Sequence, residues 1–298
     1  MRSAEPVNLW LLAGEVHGKY GGNHGPVQQD GVFFAEDANS LFDNIANNGV
    51  DIPYYLSVNS FEGNSMPALG FVEANYDVQL VQEYAWAATG KYTKEQISSM
   101  ESEYLHAYNE AAGTNVVKMS RPQEYAIGSQ IYGDIGVAYP LHEEAMAYAQ
   151  AGKSVHFMYW DTNTPLDLIF FAPSCCGVGH GAELLYTFGA IKDLAKFGLV
   201  QNLEWEDQAA DYMMKLYIDI AKNGETQQWP KFDAQSQKQM IMRNTDTEFV
   251  QEIASFELPI IAQNAVANWK SLPVFNPCSS HCWQWDAHSG LCSLKDWE

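Results

Sequence analysis

The chain has 298 residues, 47% of them apolar and 13% aromatic, enough to bury a sizeable core in one large domain or two small ones. Thirty-seven acids against 16 bases give a formal charge of −21, which argues against a nucleic-acid partner held by neutralised phosphates and favours encounter with cations. No run reaches the roughly 18 consecutive apolar residues that a membrane helix needs, since the longest nearly uncharged stretch, Leu168 to Leu185, is broken by Pro173, by glycines and by Glu183.

The first segment, MRSAEPVNLWLLAGEVHG, carries Glu5 and Asn8 around a short apolar run and reads as the interior of a domain rather than a signal peptide. No N-x-[ST] sequon marks the chain as secreted, so the sequence leaves the compartment unassigned. Ile52 to Val58 (IPYYLSV), aromatic-rich and bounded by Pro53 and Asn59, predicts a buried strand. A turn follows it, Asn59-Ser60-Phe61-Glu62-Gly63, with one carboxylate. Thr93 with Gln96 forms a capping-box pattern, and Ile97, Met100, Tyr104, Leu105 and Tyr108 recur at helical spacing until Gly113.

Val155 to Trp160 (VHFMYW) predicts a second strand, and Gly177 to Gly189 (GVGHGAELLYTFG) sets His180 in a glycine-rich loop before a helical pattern containing Glu183. From Trp205 to Asn223 another helix presents Tyr212, Met213, Leu216, Tyr217 and Ile220 on one face, with Gly224 as its stop. Gln239 to Met242 (QMIM) fits either a third strand or a helix end. The five cysteines cluster: Cys175 and Cys176 next to the histidine loop, and Cys278, Cys282 and Cys292 in the tail. With His281 and His288, the tail set fits an irregular zinc knuckle, a disulfide or free thiols, and Trp283 and Trp285 equally suit a packed or partner-binding tail.

Alternating strands and helices predict an α/β architecture, in which ligands bind beyond the carboxyl ends of the strands. Glu62 and His180 both fall on loops after predicted strands. A carboxylate that orients an imidazole, which then takes a proton from a serine, is the logic of the hydrolytic triad, and acid before histidine matches the chain order of α/β hydrolases. Against this stands an absence: none of the 298 residues forms G-x-S-x-G, the turn that exposes the serine in those enzymes.

Five stretches in order carry a family resemblance. Asp30-Gly31-Val32-Phe33-Phe34 resembles a D-G-x-F stretch, VNSFEGNSM an acid loop V-N-x-x-E-G, and Tyr132-Gly133-Asp134 with Pro140 a G-D helix. GVGHGAELLYTFG resembles a histidine motif, and Ala221-Lys222-Asn223-Gly224 with Trp229-Pro230-Lys231-Phe232-Asp233-Ala234 resembles an A-K-x-G and W-P-x-[YF] signature. All are similar to the type B carboxylesterases, which include the cholinesterases.

The resemblance implies an α/β-hydrolase fold represented by its C-terminal portion, an incomplete, mostly parallel sheet with flanking helices over residues 1–275, followed by a Cys/Trp tail at 276–298. It further implies hydrolysis of small carboxylic esters through an acyl-serine, without metal or organic cofactor, with Glu62 as triad acid, His180 as triad base and Glu183 as a structural helix charge. The family's serine and oxyanion-hole glycines would lie before Met1. His17 to Gly22 (HGKYGG) imitates an oxyanion motif from the wrong side of that point and reads as a variable loop. Ser65, in Gly63-Asn64-Ser65-Met66-Pro67, is a poor substitute nucleophile. Tyr139 stands where cholinesterases have a cysteine, so their disulfides do not transfer.

Three readings follow: an ester hydrolase known here by its C-terminal half, a non-catalytic cholinesterase-like adhesion or binding domain, and a truncated product without activity of its own. A sheet lacking its first strands would expose a central edge, so the expectation is a polypeptide that depends on a missing N-terminal segment. Tyr84, Trp86, Tyr125, Tyr132 and Phe171 fit either an aromatic pocket or core.

Overall fold

A fully buried strand shows its period of two by sending alternate side chains into two different cores. The computed structural model describes residues 44, 47–49, 52–65, 94–162, 177–198, 204–245, 248–256, 283–286 and 291–294. Its main sheet has the order β1 (Tyr54–Asn59), β2 (Val155–Asp161), β3 (Lys238–Asn244) and β4 (Phe249–Ser255). The first three run parallel, and β4 pairs antiparallel with β3. The sheet is therefore mixed and mostly parallel, with helices flanking it, which makes the fold α/β.

Parallel neighbours need crossovers, and both contain helices. Between β1 and β2 come α1 (Lys94–Ala112), α2 (Arg121–Gly133), a π-helical turn (Asp134–Ala138) and α3 (Tyr139–Gln150). Between β2 and β3 come α4 (Leu184–Thr187), α5 (Ala190–Lys196) and α6 (Glu204–Asn223). In the tail, β5 (Trp283–Asp286) and β6 (Leu291–Leu294) form an antiparallel pair.

All seven residues of β2 are buried. Phe157 and Tyr159, with Leu56, Val58 and Ile241 from the adjacent strands, pack against Ala138 and the Ala145 face of α3. Met158 and Trp160, with Met240 and Met242, pack against Trp205, Ala209, Met213 and Leu216 of α6. A third cluster joins Tyr104 and Tyr108 of α1 to Ile127 and Ile131 of α2 around Phe61. Phe61 is completely buried, a burial that contributes about 2–3 kcal/mol and fastens the turn after β1 to the helical layer.

Local chemistry sets most boundaries. The strand expected from Ile52 begins at Tyr54, since Pro53 lacks the amide a ladder uses, and it runs on to Asn59, whose partner is Trp160. The Gln239–Met242 run is strand, because β2 and β4 pair with it from both sides. Helices α1 and α6 match their expected patterns, and Gly113 and Gly224 take positive φ at their ends. Thr93 and the Asp30–Phe34 stretch lie outside the described residues, as do the loop from His17 to Gly22, Cys175, Cys176, Cys278, His281, Cys282 and His288; Cys292 lies on β6.

Candidate active site

Since β1 and β2 are parallel, their carboxyl ends share one edge of the sheet, and the loops beyond them are stitched together there. Beyond β1 the chain continues through Ser60 and Phe61 into a 3-10 turn, Glu62–Ser65. The Ser60 amide donates to the Trp160 carbonyl at 2.9 Å, the Phe61 amide to the Val178 carbonyl at 3.0 Å, and the Val178 amide to Ser60 Oγ at 3.1 Å. The loop leading to His180 is thereby clamped to the turn holding Glu62.

The two side chains meet at the clamp. Glu62 Oε2 lies 2.6 Å from His180 Nδ1, while Glu62 Oε1 accepts the Asn59 backbone amide, also at 2.6 Å. Both carboxylate oxygens are engaged, so its plane is fixed. A carboxylate only accepts, so Nδ1 carries the hydrogen and Nε2 is the basic nitrogen. Glu62 is 5% exposed and His180 is 52% exposed, so the acid is buried and the basic edge of the ring stays open to a reactant. The Glu62 hydrogen bond raises the imidazole pKa above its ordinary value, burial opposes this, and the charges of Glu62 and Glu183 add to it.

Glu183 occupies the N-cap position of α4 without a side-chain capping bond, and its carboxylate accepts from Asn59 Nδ2 at 2.6 Å. A second carboxylate therefore belongs to the same cluster, which reading it only as a helix charge missed. Burial raises its pKa, the Asn59 bond opposes that shift, and the Glu62 charge adds to it. Ser65 shares the turn with Glu62. Tyr132 is buried and belongs to the core, and the other aromatic pocket candidates have side chains outside the described residues.

Asp134 and Asp161 are further buried acids that carry no open face. Asp134 accepts from Tyr104 Oη at 2.7 Å and from Gln130 Nε2 at 2.8 Å, binding α1 to the π-helical turn; burial pushes it up to about 8 against those two bonds. Burial likewise raises Asp161 to about 6, opposed by the Ser60 hydroxyl and by Arg243. In the unfolded chain these carboxyls lose their protons near their ordinary value of 3.8, and in the fold they keep them longer. Their contribution is complete below pH 4 and is lost as pH rises through about 6 and then about 8, the same sign as the raised His180. Melting temperature is expected to fall across that window, and Asp134→Asn to flatten the fall; an equally steep profile in the variant would remove Asp134 as its cause.

A second serine–histidine approach lies at the opposite edge, where Ser154 Oγ is 3.4 Å from His156 Nε2. That hydroxyl donates instead to Glu225 Oε1 at 2.7 Å, and the His156 ring, 1% exposed, is bound to the Trp229 carbonyl and stacked on Tyr55. Such a pair braces strand ends and offers no open edge to a reactant. Among the described residues no group of three or more His, Cys, Asp or Glu could hold a metal ion, and no helix is long and apolar enough to cross a membrane.

At the carboxyl ends of the parallel strands of this α/β sheet, a buried carboxylate thus faces a half-exposed imidazole. The model of the carboxylesterase family matches residues 13–257, most of the chain, and the protein belongs to that family. No curated protein shows significant similarity to it.

Proposed function

We propose that this chain supplies the acid and base of a serine carboxylesterase acting on small carboxylic esters. In this reading Glu62 orients His180 and stabilises its imidazolium. His180 Nε2 takes the proton of a serine hydroxyl as the serine oxygen attacks the ester carbonyl, then gives it to the departing alcohol; water repeats the cycle on the acyl-serine. The observation that carries the reading is the 2.6 Å contact between Glu62 Oε2 and His180 Nδ1, made with the acid buried and the ring half exposed. The acyl-serine route needs no metal or organic cofactor.

No G-x-S-x-G occurs in the 298 residues, and Ser65 stands on the acid's own turn. We therefore read the nucleophile and its oxyanion donors as coming from a segment other than these residues, with this polypeptide inactive until that segment joins it. A non-catalytic, cholinesterase-like adhesion or binding domain is the second reading, favoured by the missing motif and weakened by an intact carboxylate–imidazole pair. Titration of the His180 ring by NMR separates the two roles of Glu62. Glu62→Gln is expected to lower the His180 pKa by removing its principal partner, and an unchanged value would end the triad assignment. In an aryl ester assay the chain and its His180→Ala variant are expected to share one background rate, whereas histidine-dependent turnover would place a nucleophile among these residues.

A further inference from the structure

Asn59, the last residue of β1, stands between two carboxylates and is 3% exposed. Its backbone amide donates to Glu62 Oε1, and its side-chain nitrogen donates to Glu183 Oε2 at 2.6 Å and to the Gly179 carbonyl at 3.0 Å. Both side-chain partners are acceptors, which fixes which amide atom is nitrogen. Its Oδ1 is buried with no partner among the described residues.

The side-chain amide hydrogens of Asn59 grip the histidine loop on both flanks of His180, at Gly179 before it and at Glu183 after it. The third donor, on the backbone, holds the acid itself. One residue thus fixes the partner of the imidazole, the loop carrying the imidazole, and a second negative group within electrostatic reach of both. The titratable groups facing Glu183 are Glu62, His180 and Tyr217 of α6.

We propose that Asn59 is a positioning residue that holds Glu183 beside the Glu62–His180 pair, so that two carboxylates rather than one support the imidazolium of His180. The proposal rests on the reading of Glu62 and His180 as acid and base. Truncating the Asn59 side chain leaves its backbone donor to Glu62 in place, so the effect of the side chain can be isolated. Glu183 then loses its donor and moves toward protonation or solvent, and the imidazolium loses the second charge.

The test is the His180 ring titration by NMR on the full chain and on Asn59→Ala, Glu183→Gln, their double variant and Glu62→Gln. A backbone amide spectrum confirms that each variant is folded. Both single substitutions at Asn59 and Glu183 are expected to lower the His180 pKa by less than Glu62→Gln does, with the double variant no lower than the lower single one. Additive effects, or a His180 pKa unmoved by either folded variant, would overturn the proposal. Should Asn59→Ala fail to fold, the near-isosteric Glu183→Gln decides alone: an unchanged pKa rejects the role. A pKa lowered by Glu62→Gln but untouched at Asn59 and Glu183 rejects the positioning role only; one untouched by Glu62→Gln rejects the underlying reading.

Discussion

Once a serine-bearing carboxylesterase segment completes the site, His180→Ala is expected to lower ester turnover by roughly 10⁶-fold and Glu62→Gln by roughly 10⁴-fold. The inequality follows from the geometry. In the proposed cycle His180 moves the proton, so its loss removes the step. Glu62 acts through the ring, holding Nδ1 at 2.6 Å with an oxygen whose twin is tied to the Asn59 amide, so its neutral replacement leaves a base in the wrong tautomer and without its counter-charge. Residues acting as one unit are not additive, and the double variant is expected to match His180→Ala alone. Equal losses for the two single variants would contradict the division of roles, and retention of activity in His180→Ala would reject the base. The measurement is kcat on a short aryl ester, with KM compared so that weakened binding is not mistaken for lost chemistry.

The proposed acid and base were legible in the sequence because the strands they follow have an unmistakable pattern, Glu62 lying on the turn that leaves β1 and His180 on a glycine-rich motif further beyond the end of β2. IPYYLSV and VHFMYW are short, apolar and aromatic, a composition that survives burial on both faces of a parallel sheet. Less visible was β4, whose exposed Gln251 and Glu252 hide a strand that exists because β3 offers it an edge. Asn59 was legible only as a strand's boundary, since its three donated bonds join partners 3, 120 and 124 residues away. Nothing local distinguishes such a residue from a turn asparagine. Glu183 likewise reads as a helix-start charge until the fold brings β1 to it.

The motif glycines belong to the same category, and they carry the second large effect. Gly63→Ala is expected to cost about 3 kcal/mol of stability, near the upper end for forcing one methyl group into a packed core. A Cβ at Gly63 would stand 1.8 Å from the Ser129 carbonyl oxygen, 2.8 Å from its carbon and 2.9 Å from the Gly133 nitrogen. All three are backbone atoms of α2, so no side chain can rotate away. The approach is mutual: a Cβ at Gly133 would meet the Gly63 nitrogen at 2.6 Å. The glycine after the acid and the glycine before Asp134, separate in sequence, are two sides of one contact that seats the acid turn on α2. Displacing that turn also drags Glu62 from His180, so the variant is expected to lower the His180 pKa as well as the denaturation midpoint. Gly136→Ala is the control. Gly136 is exposed, its added Cβ would meet nothing within 4 Å, and in a helical position alanine is expected to be neutral or to stabilise by up to about 1 kcal/mol. If Gly63→Ala unfolds at the wild-type midpoint with its His180 titration intact, the turn is not seated by this contact and the placement of Glu62 needs another cause.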